Sequence, residues 1–422
     1  VAVRDGKFSH VGSKAGRGKI EVNGNGLLLA PGWVDIHTHY DGQAMWDSFL
    51  TPSSWHGVTT AVFGNCGVGF APVIAGSEKY LINLMEGVED IPEAVLSEGL
   101  DFNWQTFPEY MNVLEQKKRI LDVGTQIPHA ALRFYVMGER GADHESRPNS
   151  EEIEKMGTLV EEALIKGALG FSTSRTIKHK SGDGSYTPSL TAKESELMGI
   201  ARAMRRAGRG VLEVNSDFAD NDFEVLRRVA YEADCPLTVL LLQVHNAPDL
   251  WRDTLARIKR ARGNGQKVNG QVGTRPIGMM LGFQSSLHPF VNHPILVEME
   301  SMPHNEKIYQ LKNNKKIQER LIAETPTDDH TAWINSLLSR TFRLGDPLNY
   351  EPNINDSIVS VAKRENVDPL KIALKWMLED NGKALLYHTF ENYYDGDLRV
   401  TYELLKDDAT ICGLGDAGAH VG

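Results

Sequence analysis

Residues 31–39 read Pro-Gly-Trp-Val-Asp-Ile-His-Thr-His, an apolar strand that runs into two histidines spaced i, i+2. Alternate residues of a strand point to the same side, so the imidazoles of His37 and His39 face one point. At the carboxyl end of a barrel strand, that side is the central cavity where such barrels keep their active sites. Two convergent imidazoles suit a divalent metal such as zinc. The alternative is that both histidines bond to the backbone at a strand end.

Two later stretches repeat this pattern of an apolar strand that ends in polar side chains. Residues 56–67 read HGVTTAVFGNCG and place Cys66 among glycines after a strand. Residues 410–420 read TICGLGDAGAH and place Asp416 after the last apolar run. A metal-binding thiolate and a metal-binding acid/base carboxylate are the functional interpretations. The alternatives are a small buried hydrophobe for Cys66 and a turn residue for Asp416.

The rest of the chain alternates short apolar runs with amphipathic helices, such as the one predicted over residues 150–166, which begins with an Asn/Ser cap. Such alternation predicts parallel strands joined by crossover helices, an α/β fold of the (β/α)8 TIM-barrel type. There are nine candidate strands for eight barrel positions, so one of them lies outside the barrel. They are residues 33–39, 59–64, 121–126, 169–172, 210–215, 237–243, 267–272, 384–387 and 410–414.

Two stretches of the sequence depart from this alternation of strands and helices, and they indicate the domain organisation. Residues 1–30 contain short β elements, with a tight turn at Asp5-Gly6, and are expected to form part of a small β-sandwich domain. Residues 31–422 are expected to form the barrel. Within it, the polar and partly helical stretch at about 278–350 is expected to be an insertion that acts as a lid. The chain begins at Val1 and stops soon after Asp416, so we expect a fragment that lacks both ends, with the C-terminal part truncated.

Composition excludes several classes of function. The 422 residues carry 45 Lys and Arg against 56 Asp and Glu, a net charge of −11, which argues against broad nucleic-acid binding. No apolar run reaches the ~18 residues of a membrane span. Three scattered cysteines favour a reducing, cytoplasmic setting over a disulfide framework. The expected partner is therefore a small molecule rather than nucleic acid or membrane, and the oligomeric state stays open.

Taken in order, the Pro-Gly-x-x-Asp-x-His-x-His, Gly-Asn-Cys-Gly and late Gly-x-x-Asp motifs resemble the amidohydrolase superfamily. More narrowly, they resemble its N-acyl-D-amino-acid deacylase (D-aminoacylase) branch, which uses a cysteine where many relatives bridge their metals with a carboxylated lysine. The resemblance implies a metal-dependent hydrolase barrel with a small β-sandwich. It also implies roles for four residues: His37 and His39 as metal ligands, Cys66 as the bridging ligand, and Asp416 as metal ligand and catalytic acid/base.

The chain departs from that pattern on the fifth and sixth strands, where the branch has two further histidines. Asn215 and Leu241 stand at about those places. The second metal site is therefore expected to be dismantled, unless neighbouring side chains substitute for the histidines. Those neighbours are Gln243, His245, Glu213 and Asp217. We expect one Zn²⁺ ion, with room for a second, weakly bound divalent metal.

The expected function is hydrolysis of a linear, non-peptide C–N amide bond, most simply deacylation of an N-acyl (D-)amino acid by metal-activated water with Asp416 as acid/base. The alternatives are another amidohydrolase reaction, on a cyclic amide, a carbamoyl compound or an aminated ring, and a catalytically silent barrel that binds a ligand. Substrate contacts are expected from the basic loop after the fourth strand and from the two strands that lack histidines. The residues are Arg175, Lys178, Asn215 and Gln243.

Overall fold

The computed structural model describes residues 1–324 and 329–420, which divide into two compact units. The first unit, Val1–Trp33, contains an antiparallel hairpin of β1 (Ala2–Arg4) and β2 (Lys7–His10). Asp5 and Gly6 both have positive φ, as a tight turn of this kind requires. The apolar run at residues 27–30 forms no strand, and most of this unit is exposed.

The second unit begins at Val34 and holds the rest of the chain. Its strands are β3 (Trp33–Asp35, which starts at the boundary), β4 (Val58–Phe63), β5 (Asp122–Thr125), β6 (Ile127–Pro128), β7 (Gly170–Arg175), β8 (Val211–Ser216), β9 (Leu237–Leu240), β10 (Val268–Val272), β11 (Ile277–Leu281), β12 (Thr341–Arg343), β13 (Leu386–Glu391) and β14 (Thr410–Cys412). Its helices are α1 (Glu78–Glu89), α2 (Glu93–Gly99), α3 (Phe107–Gln116), α4 (His129–Met137), α5 (Ser150–Lys166), α6 (Glu194–Ala207), α7 (Asp222–Ala233), α8 (Leu250–Gly263), α9 (Pro294–Glu298), α10 (His304–Asn313), α11 (Lys315–Ala323), α12 (Asp329–Ser336), α13 (Ile358–Glu365), α14 (Pro369–Met377) and α15 (Arg399–Lys406).

Eight strand positions close into a parallel barrel. Six strands pair in the order β14-β10-β9-β8-β7-β6, and three more in the order β3-β4-β5. β5 and β6 together occupy one strand position, because only residue 126 separates them and β6 pairs with β7. Leu169 N–H, just before β7, donates to Thr125 O of β5 at 2.9 Å, so β5 also borders β7. The ring closes where a parallel bridge joins Thr38, beyond β3, to Ala417, beyond β14. The expected (β/α)8 barrel is confirmed.

Local sequence explains why the helices begin and end where they do. α5 begins at the expected residue because Asn149 and Glu152 form a capping box, each bonding the other's backbone N–H. Within the stretch expected to be partly helical, two helices follow each other directly, α10 and α11. The break falls at Asn314, whose side chain caps α11 by accepting from Lys316 N–H and Ile317 N–H.

The segment 277–391, which we call the insertion, has its own antiparallel sheet in the order β11-β13-β12. It also has its own apolar core, which draws residues from Leu281 to Leu386. The insertion reaches beyond the expected 278–350 because β13 completes its sheet. β13 overlaps residues 384–387, the ninth candidate strand, and pairs antiparallel with β11 outside the barrel.

The insertion meets the barrel at the carboxyl end of the sixth barrel strand. Gln243 N–H donates to Asn392 Oδ1 at 2.8 Å, and Asn392 N–H donates back to Gln243 O at 3.0 Å. His245 N–H donates to Glu391 Oε2 at 3.0 Å. The end of the insertion therefore lies at the same rim of the barrel as the strand ends that carry the predicted site.

None of the helices in the described ranges combines the length and the apolar character that crossing a bilayer demands.

Candidate metal centre

The two histidines of the first barrel strand and the aspartate after the last one are joined through their backbones. Asp416 N–H donates to His37 O at 3.0 Å, and His39 N–H donates to Ala417 O at 2.8 Å. Asp35 Oδ1 accepts from His37 N–H at 3.2 Å and holds the turn out of β3. Because this is where the barrel closes, the two ends of the fold bring the imidazoles and the carboxylate together.

Cys66 reaches the same place from a turn after β4. Its φ is +54°, a conformation that non-glycine residues seldom adopt and that is frequent at functional sites. Gly67 follows with φ +69°, and a Cβ there would lie 2.8 Å from Ser174 N. Asn65 holds the turn by donating to Thr38 O and Val62 O at 3.1 and 3.0 Å. The turn thus directs the Cys66 side chain into the barrel mouth.

The four side chains predicted as ligands converge. His37 Nε2 lies 3.4 Å from Cys66 Sγ and 3.3 Å from Asp416 Oδ1. Asp416 Oδ1 is also 3.5 Å from His39 Nε2. Ligand atoms of His37, His39 and Cys66 all lie within 4.8 Å of one another, and no other group of this kind is found in the described ranges. Bond lengths of ~2.0–2.3 Å to a tetrahedral zinc ion would place ligand atoms at about these separations.

The donor set fits a divalent metal by two further criteria. Among residues 1–324 and 329–420, neither ring nitrogen of His39 has a partner in hydrogen-bonding geometry, although the residue is only 1% exposed. His37 Nδ1 is 2.9 Å from Gln271 Oε1, an oxygen that can only accept. Nδ1 therefore carries the proton, and the Nε2 lone pair is free to bind a metal. His37, His39, Cys66 and Asp416 are the residues that would hold the ion.

The ionisation of these groups agrees with that arrangement. Burial lowers the pKa of His39 to about 4, so its imidazole is neutral. Burial opposes ionisation of Asp416, but His39 and His37 beside it outweigh that effect and hold its pKa well below the usual range. Burial, and then the charge of Glu213, raises the pKa of the Cys66 thiol. A metal ion would favour the thiolate, as it does at zinc–cysteine sites.

Three residues around the centre were not expected from the sequence. Gln271 orients His37 from β10, and Glu89 Oε2 lies 3.2 Å from His39 Nε2 at the end of α1. His179 is half-buried, and its Nε2 lies 3.1 Å from Asn215 Nδ2. A polar residue inside an apolar strand could have indicated Gln271. Glu89 lies four residues after Met85 on the buried face of α1, a weaker signal of the same kind.

The structure also shows what occupies the places of the two missing histidines. Asn215 Nδ2 points to Cys66 Sγ at 3.8 Å, so the amide borders the centre. Leu241 lies in the main apolar core, where a Cβ added to Gly270 would come within 2.8 Å of its Cδ2. Glu213, named as a substitute, accepts from Cys66 N–H at 3.0 Å and lies 3.9 Å from His37 Nδ1. Burial raises the pKa of Glu213 to about 7.

The remaining predicted substrate contacts are held by protein partners. Arg175 Nε donates to Asp222 Oδ1 at 2.8 Å, and Lys178 Nζ donates to Glu391 Oε1 at 2.7 Å. Gln243 donates through Nε2 to Asp395 and accepts from Tyr394 N–H, both at 3.1 Å. Lys178 and Gln243 therefore join the barrel rim to the insertion and the residues just after it. Arg175 joins β7 to α7.

Sequence comparison places these features in a family. The profile of the amidohydrolase family matches residues 21–317. D-aminoacylase from Alcaligenes xylosoxydans xylosoxydans is 27% identical over 269 residues, which cover 62% of this chain and 50% of that protein. N-acyl-D-aspartate deacylase from the same organism is 29% identical over 240 residues, covering 56% and 43%. The chain thus spans about half the length of the curated relatives it matches.

Two groups of solved structures share the fold. The N-acyl-D-glutamate deacylase of Bordetella bronchiseptica, complexed with zinc and a phosphonate inhibitor, aligns with a TM-score of 0.50 and 19% identity over 91% of this chain and 64% of that one. A D-aminoacylase structure described for its binuclear metal centre aligns with the same TM-score and coverage at 20% identity. At these identities the likeness shows the fold. The family profile and the relatives named as D-amino-acid deacylases confirm the resemblance found in the sequence: this chain belongs to the amidohydrolase family.

Proposed function

We propose that this chain is a metal-dependent hydrolase of non-peptide C–N bonds and that its substrates are N-acyl D-amino acids. The observation that carries the proposal is the convergence of His37, His39, Cys66 and Asp416 at the mouth of the barrel. Relatives named D-aminoacylase and N-acyl-D-glutamate deacylase support the substrate class. Zinc is the metal we propose, at one ion per chain, and a cytoplasmic location stays a prediction.

The residues of the chain suggest how such a site works. A bound divalent ion supplies a Lewis acid that polarises the amide carbonyl and acidifies water. Asp416, ionised and 30% exposed, accepts the proton of the attacking water and donates it to the departing amine. Gln271 fixes the tautomer of His37, and the backbone bond from Asp416 to His37 keeps the base beside the imidazoles.

One observation favours a second candidate. Asn215 and Leu241 replace imidazoles that the resemblance leads one to expect, so a barrel that binds a ligand without turning it over is the alternative. Hydrolysis of a cyclic amide or a carbamoyl compound would use the same donors. Turnover on linear and cyclic substrates separates the three functions.

A hydrolysis screen tests the proposal. The full chain, loaded with Zn²⁺, is assayed against N-acetyl D- and L-amino acids, with dihydropyrimidine and hydantoin rings as cyclic controls. We expect hydrolysis of N-acetyl D-amino acids, and a loss of ~10²–10⁴-fold in kcat for Asp416→Asn, because the general base is removed. The variant should keep its metal. Turnover of the cyclic substrates alone would contradict the substrate class, and full turnover by Asp416→Asn would contradict its role.

A further inference from the structure

Glu89 is a buried carboxylate outside the predicted ligand set, at the last residue of α1. It is 3% exposed, and its helix also buries Leu81, Ile82, Met85 and Val88 on the same side. The helix is fixed in place: Gly182 N–H donates to Asn83 O at 2.9 Å, and a Cβ on Gly87 would meet the backbone of Ser181 at 2.1 Å. Packing therefore fixes the helix backbone that carries the Glu89 side chain.

The carboxylate points at His39, whose ring has no hydrogen-bond partner in the part of the chain that the structure describes. Glu89 Oε2 is 3.2 Å from His39 Nε2, and Asp416 Oδ1 lies 3.5 Å from the same nitrogen. No hydrogen-bond geometry is met at either ring nitrogen of His39 within the described ranges. His420 N–H donates to Glu89 O at 2.6 Å and so ties the segment that carries Asp416 to the end of α1.

Three carboxyl groups surround the two imidazoles of the centre, and the Nε2 of the exposed His420 lies 3.9 Å from Glu89 Oε2. Glu89, Glu213 and Asp416 all face the two imidazoles, and in residues 1–324 and 329–420 none of the three forms an ion pair with Lys or Arg. Buried carboxylates without a cationic partner are strongly unfavourable. Burial, and then the charges of Asp416 and Asp41, raise the pKa of Glu89 well above its ordinary range. A divalent ion beside His39 would favour the carboxylate form, and this geometry accommodates such an ion.

We propose that Glu89 is a further metal ligand, whose carboxylate binds the ion beside His39. This inference rests on the proposed function, since it assigns one more donor to the same centre. With Asn215 and Leu241 in place of imidazoles, the additional donor that we propose is a carboxylate oxygen from α1. Carboxylate oxygen is an accepted zinc ligand, at about the same bond length as imidazole nitrogen.

Zinc affinity of the full chain tests the assignment. Apo protein is titrated with Zn²⁺ in competition with a chromophoric chelator for the wild type, Glu89→Gln and Asp90→Asn. Glutamine keeps the shape and a hydrogen-bond acceptor but not the charge, and we expect Kd to rise at least ~10-fold. Asp90 is exposed, and Asp90→Asn removes an equal charge one residue away. The Kd of this control variant should therefore match that of the wild type. Equal Kd values for Glu89→Gln and the wild type would overturn the assignment.

Cobalt substitution separates a ligand from a residue that only positions His39. With Co²⁺ in place of zinc, the Cys66 thiolate-to-cobalt band should persist in Glu89→Gln, which shows an intact site. The d–d bands should change in intensity, because one donor is lost. Unchanged d–d bands together with weaker binding would overturn the ligand assignment. A wild-type chain that binds no divalent ion would instead contradict the proposed function, so the two failures are distinguishable.

Discussion

His39 at the barrel mouth and two histidines of the insertion, His288 and His388, are all buried, but different groups face their rings. In the insertion, His388 Nδ1 lies 3.2 Å from Thr341 Oγ1, and His288 Nδ1 accepts from Phe290 N–H at 3.2 Å. Each of those rings has a neutral partner of its own. At the barrel mouth, His39 has no hydrogen-bond partner in the described structure and faces two carboxylates.

The difference shows which feature identifies a site. Burial alone is common to both regions, and it lowers the pKa of His39 and of His388 to about 4. Within residues 1–324 and 329–420, only at the barrel mouth do three possible metal-binding side chains from distant parts of the chain lie within 4.8 Å of one another. Convergence of unsatisfied polar groups, rather than the presence of a buried imidazole, indicates that a ligand completes the structure.

The largest expected effect comes from removing one histidine in each region. His39→Ala deletes a metal ligand and should weaken zinc binding by more than the ~10–100-fold typical of residues that only support a ligand. His388→Ala should leave zinc affinity unchanged, since the described residues of the insertion form no comparable donor set. The measurement is zinc titration of both apo variants. A comparable loss in His388→Ala would remove the contrast between the two regions.

A smaller effect separates the regions by pH. Burial, and then nearby His245, lowers the pKa of His388 to about 4, against ~6.5 in an unfolded chain. Between these values the unfolded chain binds a proton that the folded protein excludes. The free energy of unfolding is therefore highest above about pH 6.5 and falls as the pH is lowered, by about 1 kcal/mol from this group between about pH 7.5 and pH 5.5.

His388→Gln removes that titration, so urea unfolding of the variant should depend less on pH over this range. For each protein, the urea midpoint is measured at about pH 7.5 and at about pH 5.5. The difference between these two midpoints is then compared between wild type and variant. Identical differences would show that His388 is not excluded from protonation in the folded insertion.

The sequence predicted the parts of the site that lie at strand ends. His37, His39, Cys66 and Asp416 each follow an apolar run, and parallel strands place all their carboxyl ends at one rim. Glu89 was missed because a carboxylate on a helix that is otherwise amphipathic looks like a surface residue. His179 was missed because a loop can be placed only once the strands around it are known.

The fold was predictable to a similar extent. Strand–helix alternation gave the barrel, but residues 384–387 looked like one of its strands. An apolar run does not reveal whether its partner is parallel or antiparallel, and only pairing with β11 assigns β13 to the insertion. The length of the insertion was underestimated for the same reason. Its last strand, β13, lies far along the chain from its first strand, β11, and only their pairing shows that both belong to the insertion.

Zinc K-edge X-ray absorption tests the central claim, that imidazole and thiolate donors separated in sequence bind one ion. We predict one sulfur neighbour at ~2.3 Å with nitrogen and oxygen neighbours at ~2.0–2.2 Å in the wild type, and loss of the sulfur in Cys66→Ser. A wild-type spectrum with oxygen and nitrogen neighbours alone, unchanged in Cys66→Ser, would contradict it.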